Sequence, residues 1–301
     1  MSDDDKASVT VTRDKPARID WAAILALAAP MIHAERDKVG VAPSLRRVHY
    51  LLVSSEAARA LGYANTENAY KALSRTTTTA RDAGTFPQLL DQTRSIEHAR
   101  GWKSPQQLIG SLVRSYSLDR SQYLETEVVL IAEKAGVVPL LTSRYAWLTV
   151  TASRGYASVS HANAIADVVG GVRDAVALYI GDYDPTGLDI DRALAERLPF
   201  RLVRIALNAD QVRRHNLPPA PAKVSDSRSA AMAAAHGEAM QVELDALPSD
   251  ALFTLIDQAL GEYAGVTVRG DGMPDWPDVD EREQADREWL RDLAESAGGA
   301  R

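Results

Sequence analysis

Four short apolar runs, each separated from the next by a stretch of helical spacing, constrain this chain more than any other feature. The runs are EVVLIAEK (127–134), WLTVTASR (147–154), AVALYIGDYD (175–184) and FRLVRIAL (200–207). They are continuous rather than alternating, which is the pattern of strands buried on both faces. Between them lie VVPLLTSRYAW, SVSHANAIADVVGGV and TGLDIDRALAERL. Strand alternating with helix predicts an α/β fold with a doubly wound parallel sheet over residues 121–260. Asn208 is expected to cap a further helix in NADQVRRHNL, and LPSDALFTLIDQAL closes the domain with another.

The segment before the sheet reads as helical. Asp20 is expected to cap WAAILALAAPMIHAERDK, with Pro30 kinking or splitting that helix. A second helix starts near Ser44 and is ended by Gly62. Asn65 is a candidate cap for a third, which Gly84 terminates. Two helices, a short turn and a following TFP segment predict a winged helix-turn-helix over 36–120, after an arm and helix over 1–35. Residues 261–301 read as an acidic tail holding one amphipathic helix.

The formal net charge of −7 argues against a nucleic-acid partner, but its distribution argues for one. Residues 36–120 carry a net +6 and the tail a net −6. Lys71 and Arg75 stand four apart and share a helix face, where they are candidate DNA contacts. The chain has no cysteine, which excludes disulfides and thiolate metal sites. With no long apolar span and no apolar segment at the N-terminus, the expectation is a cytoplasmic protein without membrane association.

Chemistry is expected at the carboxyl ends of parallel strands. The first run ends at Glu133 and the third at Asp182 and Asp184. Residues two apart in extended chain point the same way, so both aspartates can face one ion. Three such carboxylates form an all-oxygen set suited to Mg²⁺, with Mn²⁺ as an alternative. A lone Asp-x-Asp is more often a helix cap or a surface pair; its position behind an apolar strand is what favours a site. DYDPT also fits the Asp-x-Asp-x-Thr of haloacid-dehalogenase-type phosphatases. That motif closes the first strand of its domain, whereas here the Glu133 strand comes earlier.

Glu133 at one strand end, followed by G-D-x-D-P-x-G at a later one, resembles the Toprim domain. YIGDYDPTGLDI is similar to the version in the A subunit of type IIB topoisomerases (topoisomerase VI), the related meiotic transesterase and Toprim proteins of phages and mobile elements. TASRGY, LPPAPAKVSDSR and VELDALP extend the likeness across roughly residues 40–260.

The resemblance implies a catalytic tyrosine in an Arg-x-x-Tyr-Tyr-like helix. Tyr50 matches it, and His49 replaces the first tyrosine. Arg46 and Arg47, four and three residues earlier, would stabilise a phenolate or the phosphate under attack. The implied activity is Mg²⁺-dependent breakage of double-stranded DNA by transesterification. The implied assembly is a homodimer, with a separate ATPase partner for strand passage, since the chain carries no phosphate-cradling G-x-x-x-x-G-K-[ST]. A Toprim nuclease using activated water and a non-catalytic DNA-binding module are the alternatives. Lys134 and Arg154 are further candidate DNA contacts. Lys223, Asp226 and Arg228 sit in the loop that shares the likeness and are weaker candidates, Glu243 and Asp245 could add contacts to the metal or to its ligands, and His161 and His215 read as exposed helix residues.

Overall fold

The computed structural model describes residues 19–90, 101–169, 174–219, 232–233 and 240–298. Lys223, Asp226 and Arg228 lie outside them. β1 (Thr126–Ala132), β2 (Thr149–Ala152), β3 (Asp174–Ile180) and β4 (Arg201–Ala206) form one parallel sheet in the order β2-β1-β3-β4. Helices α6 (Val138–Arg144), α7 (Val159–Val169) and α8 (Pro185–Ala195) make the three crossovers. α9 (Ala209–Arg214) and α10 (Ser249–Ala264) follow, and Asn208 caps α9 as expected.

Both faces of the sheet are covered, which explains the unbroken apolar runs. Val128, Leu130, Val176 and Leu178 pack with Leu141 of α6, Val212 of α9 and Ile256 of α10. Val129, Ile131, Ala177 and Tyr179 face Ala162 and Ile165 of α7 and Ile190 and Leu194 of α8. The strand order makes β1 and β3 neighbours whose following connections leave in opposite directions. In such sheets the crevice for a ligand opens at that point.

The N-terminal helices are α1 (Trp21–Val39), α2 (Leu45–Ser54), α3 (Glu56–Ala60) and α4 (Glu67–Asp82). They share a core of Ile24, Ala28, Ile32, Val48, Leu52, Ala58, Tyr63 and Leu73. Of the kink or split expected at Pro30, the split does not occur: α1 runs through it. Proline forfeits one backbone hydrogen bond, and the packing of Ile24, Ala28 and Ile32 on either side of it holds the helix together. The single helix expected from Ser44 to Gly62 is instead two, because Ser55 adopts an extended backbone and caps α3. The cap of α4 is Thr66, not Asn65. Gly84 ends that helix in the left-handed region, φ 68°, as expected.

No β-strand forms among the described residues between 19 and 120; an isolated bridge joins Ser44 to Leu90. Residue 35 lies inside α1, so that helix continues from the segment read as an arm into the basic module. The acidic C-terminal helix α11 (Pro277–Gly298) packs against α5 (Pro105–Ser115). Arg120, buried, ion-pairs with Asp280 at 2.8 Å and with Glu283, and Tyr116 Oη donates to Asp286 at 2.6 Å. No helix among the described residues is long and apolar enough to cross a membrane.

Candidate active site

Glu133 and Asp182 are brought together by strand register. Ala132 pairs with Ile180, and the Glu133 N–H extends the ladder by donating to Ile180 O at 2.8 Å. Glu133 Oε2 then accepts the main-chain N–H of Asp182 at 3.0 Å. Burial pushes the Glu133 carboxyl up to about 7, and the neighbouring Asp182 charge adds to the shift.

Two glycines make that approach possible. A Cβ on Gly181 would lie 2.7 Å from the Tyr179 ring and 2.8 Å from Glu133 Oε2. One on Gly187 would lie 2.5 Å from Asp182 O and 3.2 Å from Glu133 Oε2. Both positions of the G-D-x-D-P-x-G pattern are thus glycine for want of space.

Asp182 is 6% exposed. Its Oδ1 accepts from Leu244 N at 2.9 Å, and its Oδ2 meets Lys134 Nζ at 2.5 Å. Burial alone would lower the Lys134 ammonium, but Asp182 and then Glu243 outweigh it and raise its pKa. Asp184 caps α8: Oδ1 accepts from Gly187 N at 2.6 Å, and Oδ2 from Gln241 Nε2 at 3.3 Å. Tyr183, between the aspartates, exchanges backbone bonds with Val242, which lays residues 241–244 alongside the loop. As arranged, no three acidic or histidine side chains among the described residues converge on one ion position. The carboxylate oxygens are instead turned to Lys134 and to protein N–H groups.

Arg46 reaches this group through Glu243. The two are ion-paired, Glu243 lies 3.9 Å from Lys134 Nζ, and the Arg46 guanidinium also covers the Tyr70 ring at 4.9 Å. Arg47 turns elsewhere. It pairs with Glu35 at 2.8 Å and donates to the carbonyls of Asp245 and Leu247 at 3.1 and 3.0 Å, tying α1 and α2 to the chain before α10. Ser44 Oγ donates to Asp245 at 3.2 Å. Burial raises the Asp245 carboxyl; Lys134 offsets part of this, while Asp182 and Glu243 add to it.

Tyr50 is 2% exposed and belongs to the core of the sheet domain. Burial pushes its phenol well above the ordinary value, the Glu243 charge adds, and Arg46 opposes. That places Tyr50 in the electrostatic field of the carboxylates but out of contact with solvent. His49 is a packed core residue, bonded to Tyr63 Oη at 2.7 Å and Asn65 Oδ1 at 3.1 Å. Arg154 stands at the end of β2, exposed, with its N–H donating to Glu133 O at 2.9 Å. Lys71 and Arg75 lie on the outer face of α4, where Lys71 pairs with Glu67 at 2.7 Å.

Arg204 escaped the sequence reading. From β4 it ion-pairs with Asp191 and donates to the carbonyls of Asp182 and Leu207, both at 3.1 Å, and of Gly187 at 2.8 Å. One guanidinium therefore fixes the main chain on both sides of Asp184. The signal was present in RLVRIAL: a cation inside a buried apolar strand must find partners. No protein-family model matches the chain, and no curated protein matches it either.

Proposed function

We propose that this protein is a divalent-metal-dependent enzyme that breaks DNA phosphodiesters at a Toprim-type site. The reading rests above all on Glu133 and Asp182 meeting at the carboxyl ends of β1 and β3, the point where the sheet's winding reverses. The donor chemistry fits a hard cation: Glu133, Asp182 and Asp184 offer oxygen only. Mg²⁺ or Mn²⁺ held by those three would supply charge neutralisation at the scissile phosphate. Lys134, seated on Asp182, is placed to exchange that carboxylate for a phosphate oxygen. Arg154 extends the positive rim beyond Glu133, and the Lys71 and Arg75 face of α4 lends phosphate contacts from the helical module, the part that the winged-helix reading assigns to DNA.

Two nucleophiles compete within this reading. The Toprim resemblance points to Tyr50, together with a homodimer and a separate ATPase partner. The burial of Tyr50 favours water, because a phenol with its pKa raised and no access to solvent must first be released by movement of α2. Supercoiled plasmid incubated with Mg²⁺ or Mn²⁺, quenched with SDS and split with and without protease separates the two. Free-ended cleavage that survives Tyr50→Phe and is lost in Asp182→Ala establishes hydrolysis. Ends that stay protein-bound until proteolysis and vanish in both variants establish the tyrosine. No cleavage under any condition removes the proposal.

A further inference from the structure

The loop that leaves β2 is built as a rigid rim beside Glu133. Arg154 takes a left-handed backbone, φ 52°, and Gly155 follows at φ 88°. For a residue with a side chain this conformation costs on the order of 1–2 kcal/mol, so the surroundings must impose it. They do so at three points. Arg154 N–H is bonded to Glu133 O at 2.9 Å, Tyr156 Oη donates to Asp189 Oδ2 at 2.5 Å, and Arg197 donates to Ala157 O at 3.0 Å. Asp189 is itself gripped by Arg192 at 2.7 and 2.9 Å.

The outcome is an aromatic residue tethered by its hydroxyl yet 50% exposed, with Val159 beyond it 63% exposed and the Arg154 side chain in solvent. A tyrosine gains by burying its ring; here a short hydrogen bond holds it at the surface, within two turns of the Asp184 cap on α8.

Resting on the DNA-breaking reading, we propose that this rim takes an unpaired nucleotide of the substrate, the base stacking on Tyr156 and its phosphate meeting Arg154. Bases inside a duplex are stacked on one another and offer no face. Only a single-stranded, frayed or extruded base can use such a ring. The substrate class is accordingly DNA with unpaired nucleotides next to the scissile bond, rather than uninterrupted duplex.

The test measures fluorescence anisotropy of labelled oligonucleotides of about 12 nucleotides, a length that spans a typical single-strand site. Single-stranded DNA, the same sequence as duplex, and the RNA equivalent are compared with Ca²⁺ in place of Mg²⁺. Wild type is expected to bind the single strand at least about 10-fold tighter than the duplex. Tyr156→Ala is expected to lose about 5- to 100-fold on the single strand and little on the duplex. Tyr156→Phe, which keeps the ring but loses the bond to Asp189, is expected to fall between wild type and Tyr156→Ala, and a circular-dichroism spectrum matching wild type controls for folding. Equal or tighter duplex binding by wild type, or an unchanged Tyr156→Ala, overturns the inference, and tighter binding of RNA overturns its assignment to DNA. Plasmid cleavage by wild type is scored separately. Cleavage with duplex preference sinks the rim and spares the enzyme; single-strand preference lost in Tyr156→Ala without any cleavage does the reverse.

Discussion

Glu133 Oε2 receives the main-chain N–H of Asp182 across 3.0 Å, so the carboxylate of one strand is hydrogen-bonded to the backbone of the next. Neither residue can shift without the other. The spacing is only possible where the flanking residues have no side chain. Gly187→Ala is expected to destabilise the protein by about 1–3 kcal/mol, as overpacking does, and to abolish cleavage. Gly136→Ala, where an added Cβ meets nothing within 4 Å, is the control and should unfold within about 1 kcal/mol of wild type. Urea midpoints of the two variants decide the matter; equal values would mean that the Gly187 crowding is relieved by simple relaxation.

Asp184 has two roles that one substitution can separate. Asparagine caps a helix about as well as aspartate, so Asp184→Asn should keep stability within about 0.5 kcal/mol. It removes the negative charge that a metal would need and should lower cleavage by about 100-fold. Thermal unfolding and plasmid nicking measured side by side check this. Wild-type cleavage by the variant would reduce Asp184 to a helix cap.

Arg204 holds four carbonyls and one carboxylate with a planar fork that lysine cannot reproduce. Arg204→Ala leaves Asp191 buried and unpaired, at a cost of about 3–5 kcal/mol. Arg204→Lys should recover part of that stability without recovering activity, because the carbonyls lose their common donor. Activity in the lysine variant equal to wild type would show that charge alone suffices at this position.

The contact between α1 and the chain entering α10 is expected to weaken in acid. Burial alone would raise the Glu35 carboxyl, but the Arg47 charge and the hydrogen bonds from Arg47 and Ser249 outweigh it and hold the pKa below the usual value. A carboxyl depressed in the folded state contributes stability that is present above its unfolded pKa, near 4.3, and is lost as pH falls through the folded one. Urea midpoints measured from pH 7 down to about 3 should therefore drop more steeply in wild type than in Glu35→Gln. The variant itself should lose about 1.5–3 kcal/mol at pH 7. Parallel pH profiles would show that the pair adds nothing.

What the amino-acid pattern disclosed follows from which forces are local. The apolar runs announced β1, β3 and β4 because strands covered on both faces must be apolar throughout. The carboxylates Glu133, Asp182 and Asp184 could be placed because a strand end fixes where its last side chains go. Partner choice was not legible. Arg46 and Arg47 are adjacent and chemically alike, yet one faces Glu243 and the other Glu35, a difference set by helix phase and by contacts about 200 residues away in sequence. Tyr50 was singled out by the resemblance alone, which matches a motif position and carries no information on burial. Docking of α2 on residues 244–246 buries it. The split at Ser55 was hidden because serine is tolerated in helices and favoured as a cap.

Arg46, Glu243, Lys134 and Asp182 form a row in which the sign of charge alternates at every step, from helix α2 to the end of β3. Such a row behaves like a set of couplings sharing a limited number of partners. A cation bound at Asp182 would compete with Lys134 for that carboxylate, and a displaced Lys134 would be left with Glu243, the partner of Arg46. Helix α2 would then feel, through two shared carboxylates, a charge that it does not touch.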